Sequence, residues 1–271
     1  MRIVPSAAST GRSELFDLPF DQYERYAIAA TIVNAVRLLL GQAHLQVLDV
    51  GGAGAPLQKF LSRDQVLTAD LDAQANDGYV RADGIALPFR DEVFEIVTSQ
   101  DTLEHVPQSN RVAFLRELVR VTRRILVLNG PFSSREVEAA ERLILQEAKE
   151  AVGENHPIFG YLGEHARLTL PILSETLTVL EDVGLVLLVL PNGPLVDWIE
   201  RKVFKFHLAI AGGRQKPSRE FDRITNRRYT ASASEPPCYR HAVIGVRNHD
   251  RGLLKAIELA MRPASGRQPQ R

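Results

Sequence analysis

The sequence has little of what marks a secreted, membrane-spanning or nucleic-acid-binding protein. Cys238 is the one cysteine among 271 residues, so an intrachain disulfide is impossible and a reducing compartment is expected. The polar residues 1–14 lack the apolar run of a signal peptide, and no stretch reaches the roughly 18 to 20 apolar residues that span a bilayer. Lys plus Arg and Asp plus Glu both number 33, so no net charge attracts a polyanion. These absences predict a cytoplasmic protein that binds no nucleic acid.

What the sequence does contain is an alternation of short apolar segments with segments of helical periodicity. Strands are predicted at 45–50, 66–69, 94–98, 124–128, 185–190 and 239–246. Helices are predicted at 20–40, 56–61, 110–121, 136–152, 173–183 and 253–261, with loops over 153–169 and after the helical segment 195–210. Short buried strands that alternate with helices indicate a parallel sheet with helices on both faces.

A turn of small residues follows the first predicted strand. It reads Asp49-Val50-Gly51-Gly52-Ala53-Gly54-Ala55 and precedes a predicted helix. Small residues let the backbone approach a ligand closely, and the start of a helix offers unpaired N–H groups. Asp70 ends the next strand, where a carboxylate can accept hydrogen bonds from ribose hydroxyls. The combination predicts a cofactor that contains a nucleoside.

The order of the glycines favours one nucleoside cofactor over another. A dinucleotide site requires G-x-G-x-x-G/A, and counting from Gly52 the third position falls on Leu57. Asp49 stands just before the glycines, where its charge would repel a pyrophosphate. The same charge suits the ammonium and sulfonium groups of S-adenosylmethionine, so the turn favours that cofactor.

Three motifs in this order resemble the class I S-adenosylmethionine-dependent methyltransferases, specifically the small-molecule branch that includes the ubiquinone-biosynthesis type. They are the turn, then RADGIALPF at 81–89, then FEIVTSQDTLEHV at 94–106. The resemblance covers 45–131 and, more loosely, 185–246. It implies a doubly wound, Rossmann-like α/β fold whose seven-stranded sheet has six parallel strands and a last antiparallel one. It also implies S-adenosyl-L-methionine as cofactor and S-adenosyl-L-homocysteine as product.

The resemblance further implies which residues bind the cofactor. Asp49 would lie near the methionine moiety, Asp70 would bind the ribose and Asp83 the adenine amine. The remaining members of the implied set are the turn glycines, the neighbours of Asp83 and the residues after the fourth strand: Gly51, Gly52, Gly54, Ala82, Gly84, Ser99, Gln100 and Asp101. Ala53 and Ala55 stand where the family usually has glycine, and alanine fits such a turn only with a negative φ.

The resemblance also implies how the chain is organised as one domain. Residues 1–44 would be an N-terminal helical cover, and 45–131 the cofactor-binding core. Residues 132–184 would be a helical insertion with a return helix, and 185–262 the last two strands, which enclose a second insertion over 192–237. A disordered tail is expected over 263–271.

Histidine–glutamate pairs outside the glycine turn are the candidates for catalysis and acceptor binding. His105, with Glu104 beside it, is the candidate general base, although the Leu-Glu-His triplet can equally open the next helix. Tyr161 and His165 in the first insertion are candidates for acceptor binding. The spacing of His156, Glu164 and His165 matches no metal-ligand motif, so no metal is expected.

Taken together, the sequence predicts methyl transfer to a small molecule, most plausibly to oxygen of a natural-product, sugar or lipid-linked acceptor. Nitrogen and carbon acceptors stay open. One alternative is a catalytically inactive binding or regulatory protein with the same fold, and another is an NAD(P)-dependent oxidoreductase. The basic, amphipathic stretch 195–228 fits a packed helix with a solvated loop, a lid over an anionic substrate, or a peripheral membrane contact.

Overall fold

A seven-stranded sheet forms the centre of the computed structural model, which describes residues 14–54, 56–72, 78–212 and 216–262. The strands are β1 Gln46–Val50, β2 Gln65–Asp70, β3 Tyr79–Arg81, β4 Phe94–Gln100, β5 Thr122–Gly130, β6 Leu185–Pro194 and β7 Cys238–Arg247. Their order across the sheet is β3-β2-β1-β4-β5-β7-β6, and β7 pairs antiparallel with both β5 and β6. The remaining pairs are parallel. The predicted sheet, with its last strand antiparallel, is confirmed.

Helices cover both faces of this sheet. In the described part of the chain they are α1 Phe20–Leu40, α2 Pro56–Phe60, α3 Arg111–Val121, α4 Arg135–Val152, α5 Ile158–Leu168, α6 Leu173–Asp182, α7 Leu195–Gly212, α8 Lys216–Arg228 and α9 Arg251–Ala260. Alternate residues of a strand point to opposite faces. Ile96 accordingly packs in the core under α1 and α9, and Val97 packs in the core under α3 and α6. This sandwich is the doubly wound arrangement predicted from the sequence.

A third apolar cluster lies beyond the sheet. It joins α4, α5 and α7 through Ile144, Leu162 and Phe206, and it includes Tyr239 at the start of β7. Trp198 of α7 stacks on Tyr239, with 3.8 Å between ring centroids. This cluster holds the two insertions against the carboxyl edge of the central strands.

The structure differs from the sequence-based expectation in three places. The segment 153–169 contains the helix α5, because Ile158 and Leu162 gain an apolar partner in α4 despite the two glycines within the helix. The stretch after α7 contains the helix α8, which Asn226 anchors by donating to the carbonyl of Leu18 at 2.8 Å. The three-residue strand β3 was not predicted, since three residues are too few to show a period. No helix in the described ranges has the length and apolar character that crossing a membrane requires.

Candidate cofactor and acceptor site

The predicted site residues gather at the carboxyl edge of β1, β2 and β4. In an open α/β sheet this is the edge at which ligands bind. The register pairs Asp49 of β1 with Thr98 of β4, and the last residue of β2, Asp70, with Arg81 of β3. The glycine turn after β1, the loop after β3 and the end of β4 therefore lie at the same edge of the sheet.

Asp49 is a fully buried carboxylate at this edge. Thr98 donates its hydroxyl to Oδ1 at 2.8 Å, whereas the second oxygen, Oδ2, is buried without a hydrogen-bond partner. Burial raises the pKa of Asp49 to about 7, against the opposing effects of the Thr98 hydrogen bond and the charge of Arg25. A cationic ligand group beside Oδ2 would both satisfy this oxygen and favour the ionised carboxylate.

The glycine turn has no room for side chains at two positions. A Cβ on Gly52 would lie 2.1 Å from Asp49 Oδ2, and one on Gly51, whose φ is +81°, would lie 2.3 Å from Thr102 Oγ1. Ala53 is not among the described non-glycine residues with a positive φ, so it occupies the turn without that strain. Ala55 lies outside the described residues.

Asp70 and Asp83 flank the short strand β3. Asp70 accepts a hydrogen bond from the backbone N–H of Asp72 at 3.0 Å, and its carbonyl accepts one from Ala82 at 3.0 Å. The exposed Asp83 accepts from the N–H of Ile85 at 3.1 Å. Each carboxylate thus uses one oxygen to stabilise its own loop. Both loops lie at the edge of the sheet where the cofactor is expected to bind.

Gly84 has a packing role in this loop. A Cβ there would lie 2.4 Å from the ring of Phe114 on α3. The glycine therefore lets the loop lie directly on α3, whatever ligand it contacts.

The three residues at the end of β4 have different environments. Ser99 donates its hydroxyl to the carbonyl of Val50 at 3.0 Å, which ties β4 to β1. Gln100 is buried, and neither its side-chain oxygen nor its nitrogen has a hydrogen-bond partner. Buried polar groups are nearly always hydrogen-bonded, so Gln100 and Asp49 both fit a site for a polar ligand.

Asp101 follows β4 and is clamped by two arginines. Arg240 of β7 binds both carboxylate oxygens, at 2.8 and 2.6 Å, and Arg25 of α1 binds Oδ2 at 2.7 Å. Burial alone would raise the pKa of Asp101, but the two guanidinium groups outweigh it and hold this pKa well below its usual range. With a φ of +46°, Asp101 also has a backbone conformation that is strained for a residue with a side chain.

The two arginines were not predicted from the sequence. Arg240 lies near the start of the largely apolar strand β7, and a charge in a buried strand is a signal that it has an ion-pair partner. Arg25 lies near the start of α1 beside other polar residues, such as Asp21 and Glu24, and gives no comparable signal.

A cavity of about 610 Å³ opens next to Asp101, between α1, α5, α7 and the start of β7. Its apolar lining includes Ile158, Leu162, Trp198 and Phe206. Its polar lining includes Arg25, Asp101, Glu104, His105, Tyr161, His165, Lys202 and Arg240. A volume in the range of about 300–1,000 Å³ with mixed lining is typical of sites for small organic molecules.

The predicted catalytic and acceptor residues meet in this cavity. Glu104 and His105 lie in a 3₁₀ turn, Leu103–His105, and do not open a long helix as the alternative interpretation had it. The imidazole rings of His105 and His165 lie 5.0 Å apart. Tyr161 is largely exposed and also borders the cavity.

Burial sets the protonation of two of these groups. Burial, together with the charge of Asp101, raises the pKa of Glu104 well above its usual value. Burial and the neighbouring His165 lower the pKa of His105, against the opposing effect of Glu164. A neutral imidazole can accept a proton, so the role of His105 as a general base stays a prediction.

Three residues could also hold a metal ion. One ligand atom each of Glu104, His105 and His165 lies within 4.8 Å of the others. His156 does not belong to this group, and its Nδ1 accepts from the backbone N–H of Ile158 at 3.2 Å.

The fold is that of a doubly wound α/β protein, and comparison with known proteins shows what it is similar to. Residues 48–125 match the family model described as a methyltransferase domain. A protein of Mycobacterium sp. (strain JLS), described as an uncharacterized methyltransferase, is 42% identical over an alignment of 109 residues. That alignment covers 34% of this chain and 42% of the relative's length.

Two solved structures are among those similar to this chain, and the first of them supports the likeness of fold. The plantazolicin methyltransferase BpumL in complex with SAH has a TM-score of 0.51 at 11% identity, with 89% of this chain and 92% of that chain covered. The magnesium protoporphyrin IX methyltransferase of Synechocystis PCC 6803 has a TM-score of 0.45 at 13% identity, with 84% and 86% covered. Residues 48–125 thus match a methyltransferase domain, and the resemblance stated from the motifs is confirmed over this part of the chain.

Proposed function

We propose that this protein transfers a methyl group from S-adenosylmethionine to an oxygen atom of a small molecule bound in the cavity. The observation that supports it most directly is Asp49, a fully buried carboxylate with one unpartnered oxygen beside a turn that excludes side chains. Such a group is costly to bury unless a cationic partner occupies the site. When bound, S-adenosylmethionine supplies an electrophilic methyl group on a sulfonium.

Different residues at the carboxyl edge of the sheet would bind different parts of this cofactor. Asp49 would stabilise the positive charge of the methionine part, Asp70 would bind the ribose, and Asp83 the adenine amine, with the backbone of Ala82 and Gly84 alongside. Gln100 has an amide that needs a polar partner.

The side chains of Asp101 and Ser99 have structural roles in this proposal. Both oxygens of Asp101 accept from arginines, so this carboxylate shapes the boundary between the cofactor and the cavity. The hydroxyl of Ser99 is bound to β1, so we assign it to the sheet and not to the ligand.

The cavity favours a hydroxylated ring compound of natural-product size as acceptor. Trp198 and Phe206 offer flat apolar surface, whereas His105, His165 and Arg240 provide polar contacts on the side nearest Asp101. Positioning of the acceptor next to the methyl donor can by itself contribute about 7–11 kcal/mol to catalysis. Tyr161 and His165 would hold the acceptor in that position.

The two alternative functions lack a supporting observation at this site. The catalytically inactive protein was suggested by the alanines in the turn, and Ala53 has no positive φ that would distort it. For the NAD(P)-dependent oxidoreductase, a pyrophosphate at the turn would face the carboxylate of Asp49 and be repelled.

The test is calorimetric titration with S-adenosylmethionine and S-adenosylhomocysteine. We expect micromolar binding to the wild type and loss of binding in Asp70→Ala and Asp83→Ala, with Asp182→Ala, an exposed carboxylate at the end of α6, as the matched control. A panel of hydroxylated acceptors is then screened for formation of S-adenosylhomocysteine. Absence of cofactor binding by the folded wild type would refute the proposal.

A further inference from the structure

We propose that Glu104, His105 and His165 form a binding site for a divalent transition-metal ion, with Zn²⁺ as the best match, at the inner end of the cavity. These three residues are called the Glu-His-His cluster below. The proposal departs from the sequence-based expectation of no metal. It concerns ion binding by this chain, which does not depend on the methyl transfer proposed above.

The first argument is the convergence of ligand atoms from two separate elements. Glu104 and His105 come from the 3₁₀ turn after β4, and His165 comes from α5, 60 residues further along the chain. One ligand atom of each lies within 4.8 Å of the other two. With Zn–N and Zn–O distances of about 2.0–2.2 Å, tetrahedral ligand atoms lie about 3.3–3.5 Å apart, so the side chains need to move inward by no more than about 1.5 Å.

The second argument is the set of carboxylates behind the two imidazoles. His105 Nδ1 lies 2.9 Å from Glu164 Oε2, and His165 Nδ1 lies 2.8 Å from Glu141 Oε1. Tyr239 donates its hydroxyl to the same oxygen of Glu141 at 2.9 Å, which holds that carboxylate in place. Each imidazole thus has Nδ1 engaged and Nε2 left as the possible ligand. Metal-binding histidines almost always have a carboxylate or carbonyl partner of this kind on the other nitrogen.

The third argument is that polar atoms of the cluster lack partners. Glu104 Oε2 and His165 Nε2 are buried and make no hydrogen bond, and the two residues are only 1% and 5% exposed. A buried carboxylate oxygen and a buried ring nitrogen that both lack a partner need a cation, a proton or a water molecule between them. A metal ion satisfies both atoms at once.

The donor set indicates the kind of metal. Two imidazoles and one carboxylate are the protein ligands of several catalytic zinc sites, whereas magnesium and calcium prefer oxygen ligands alone. All three residues border the cavity, so a fourth position would face the bound molecule. If the proposed methyl transfer holds, an acceptor hydroxyl at that position would lose its proton more readily, because a bound metal lowers the pKa of an oxygen ligand.

The test measures metal binding by the full-length, tag-free protein without cofactor or acceptor. The apoprotein is titrated with Co²⁺, whose visible absorption reports its coordination, and then with Zn²⁺ as competitor. Glu104→Gln, His105→Gln and His165→Gln remove one ligand each, and Glu141→Gln removes only an outer partner. His207→Gln, which changes an exposed histidine on α7, is the matched control.

We expect one equivalent of Co²⁺ with visible bands, displaced by one equivalent of Zn²⁺ in the wild type and the control. Binding should be lost in the three ligand variants and weakened about 10- to 100-fold in Glu141→Gln. No stoichiometric binding by the folded wild type, or equal binding in Glu104→Gln, would overturn the site, and Glu104→Gln keeps the shape of the buried side chain. Calorimetry with S-adenosylmethionine is run on the same samples, so a failure of the metal site and a failure of the proposed function give different results.

Discussion

Replacing Asp49 by asparagine should make the cofactor-free protein more stable at neutral and alkaline pH and at the same time abolish cofactor binding. Asparagine keeps an oxygen for the hydrogen bond from Thr98 but has no charge to bury. The wild-type carboxylate must ionise in a fully buried position, which is unfavourable without a cationic ligand. Stability and binding are therefore expected to change in opposite directions.

The size of the effect follows from the two pKa values of Asp49. The ordinary pKa of an aspartate carboxyl is 3.8, and the pKa of Asp49 in the folded protein is about 7. Because the folded-state value is the higher one, the contribution of this group to stability is complete below pH 3.8 and is lost as the pH rises through 7. At about 1.4 kcal/mol for each pH unit between the two pKa values, the loss is about 4 kcal/mol above pH 8, of which about 2–3 kcal/mol falls between pH 5 and pH 8.

Urea unfolding of the cofactor-free wild type and of Asp49→Asn at pH 5, 6, 7 and 8 measures this difference. The free energy of unfolding of the wild type should fall relative to that of the variant by about 2–3 kcal/mol across the series. Asp182→Asn, at an exposed position, should show no such trend. A difference between wild type and Asp49→Asn that stays constant with pH would refute the raised pKa.

Three further predictions concern the other parts of the site. Asp101→Asn leaves Arg25 and Arg240 without their carboxylate, so urea unfolding should show a loss of about 3–5 kcal/mol; a loss below 1 kcal/mol would contradict a buried ion cluster. Gly52→Ala places a Cβ against Asp49, so calorimetry should show cofactor binding about 10- to 100-fold weaker, and unchanged affinity would mean that the turn moves freely. Tyr161→Ala should change stability by no more than about 0.5 kcal/mol, because the ring is 62% exposed, yet raise the KM for the acceptor; an unchanged KM would place the acceptor elsewhere.

Several features of this fold were predictable because they depend on local patterns. The helix α1 begins and ends where the apolar spacing predicts, with Gly41 at its end in a left-handed conformation. The strands β1 and β4 were recognised from buried apolar runs, although β4 extends two residues beyond the prediction. The parallel sheet followed from the alternation of these strands with helices. Such features need only neighbours in the chain, which a sequence displays.

Other features required contacts between distant segments. The clamp on Asp101 joins residues 76 and 139 positions away along the chain. The pairing of His105 with Glu164 joins the turn after β4 to the first insertion, within which His165 pairs with Glu141. The periodicity of a single segment cannot predict these contacts, because the residues concerned come together only when distant segments pack onto the folded core.

The sequence by itself therefore determined the class of fold and the resemblance of residues 48–125 to a methyltransferase domain, since both depend on residue types at short, ordered spacings. The tertiary structure determined the pKa values of the site residues and which of them are in contact. Burial raised the pKa of Asp49, two remote arginines lowered that of Asp101, and the packing of α5 brought His165 to Glu104 and His105. Charge and burial act through space, so their effects exist only after the chain has folded.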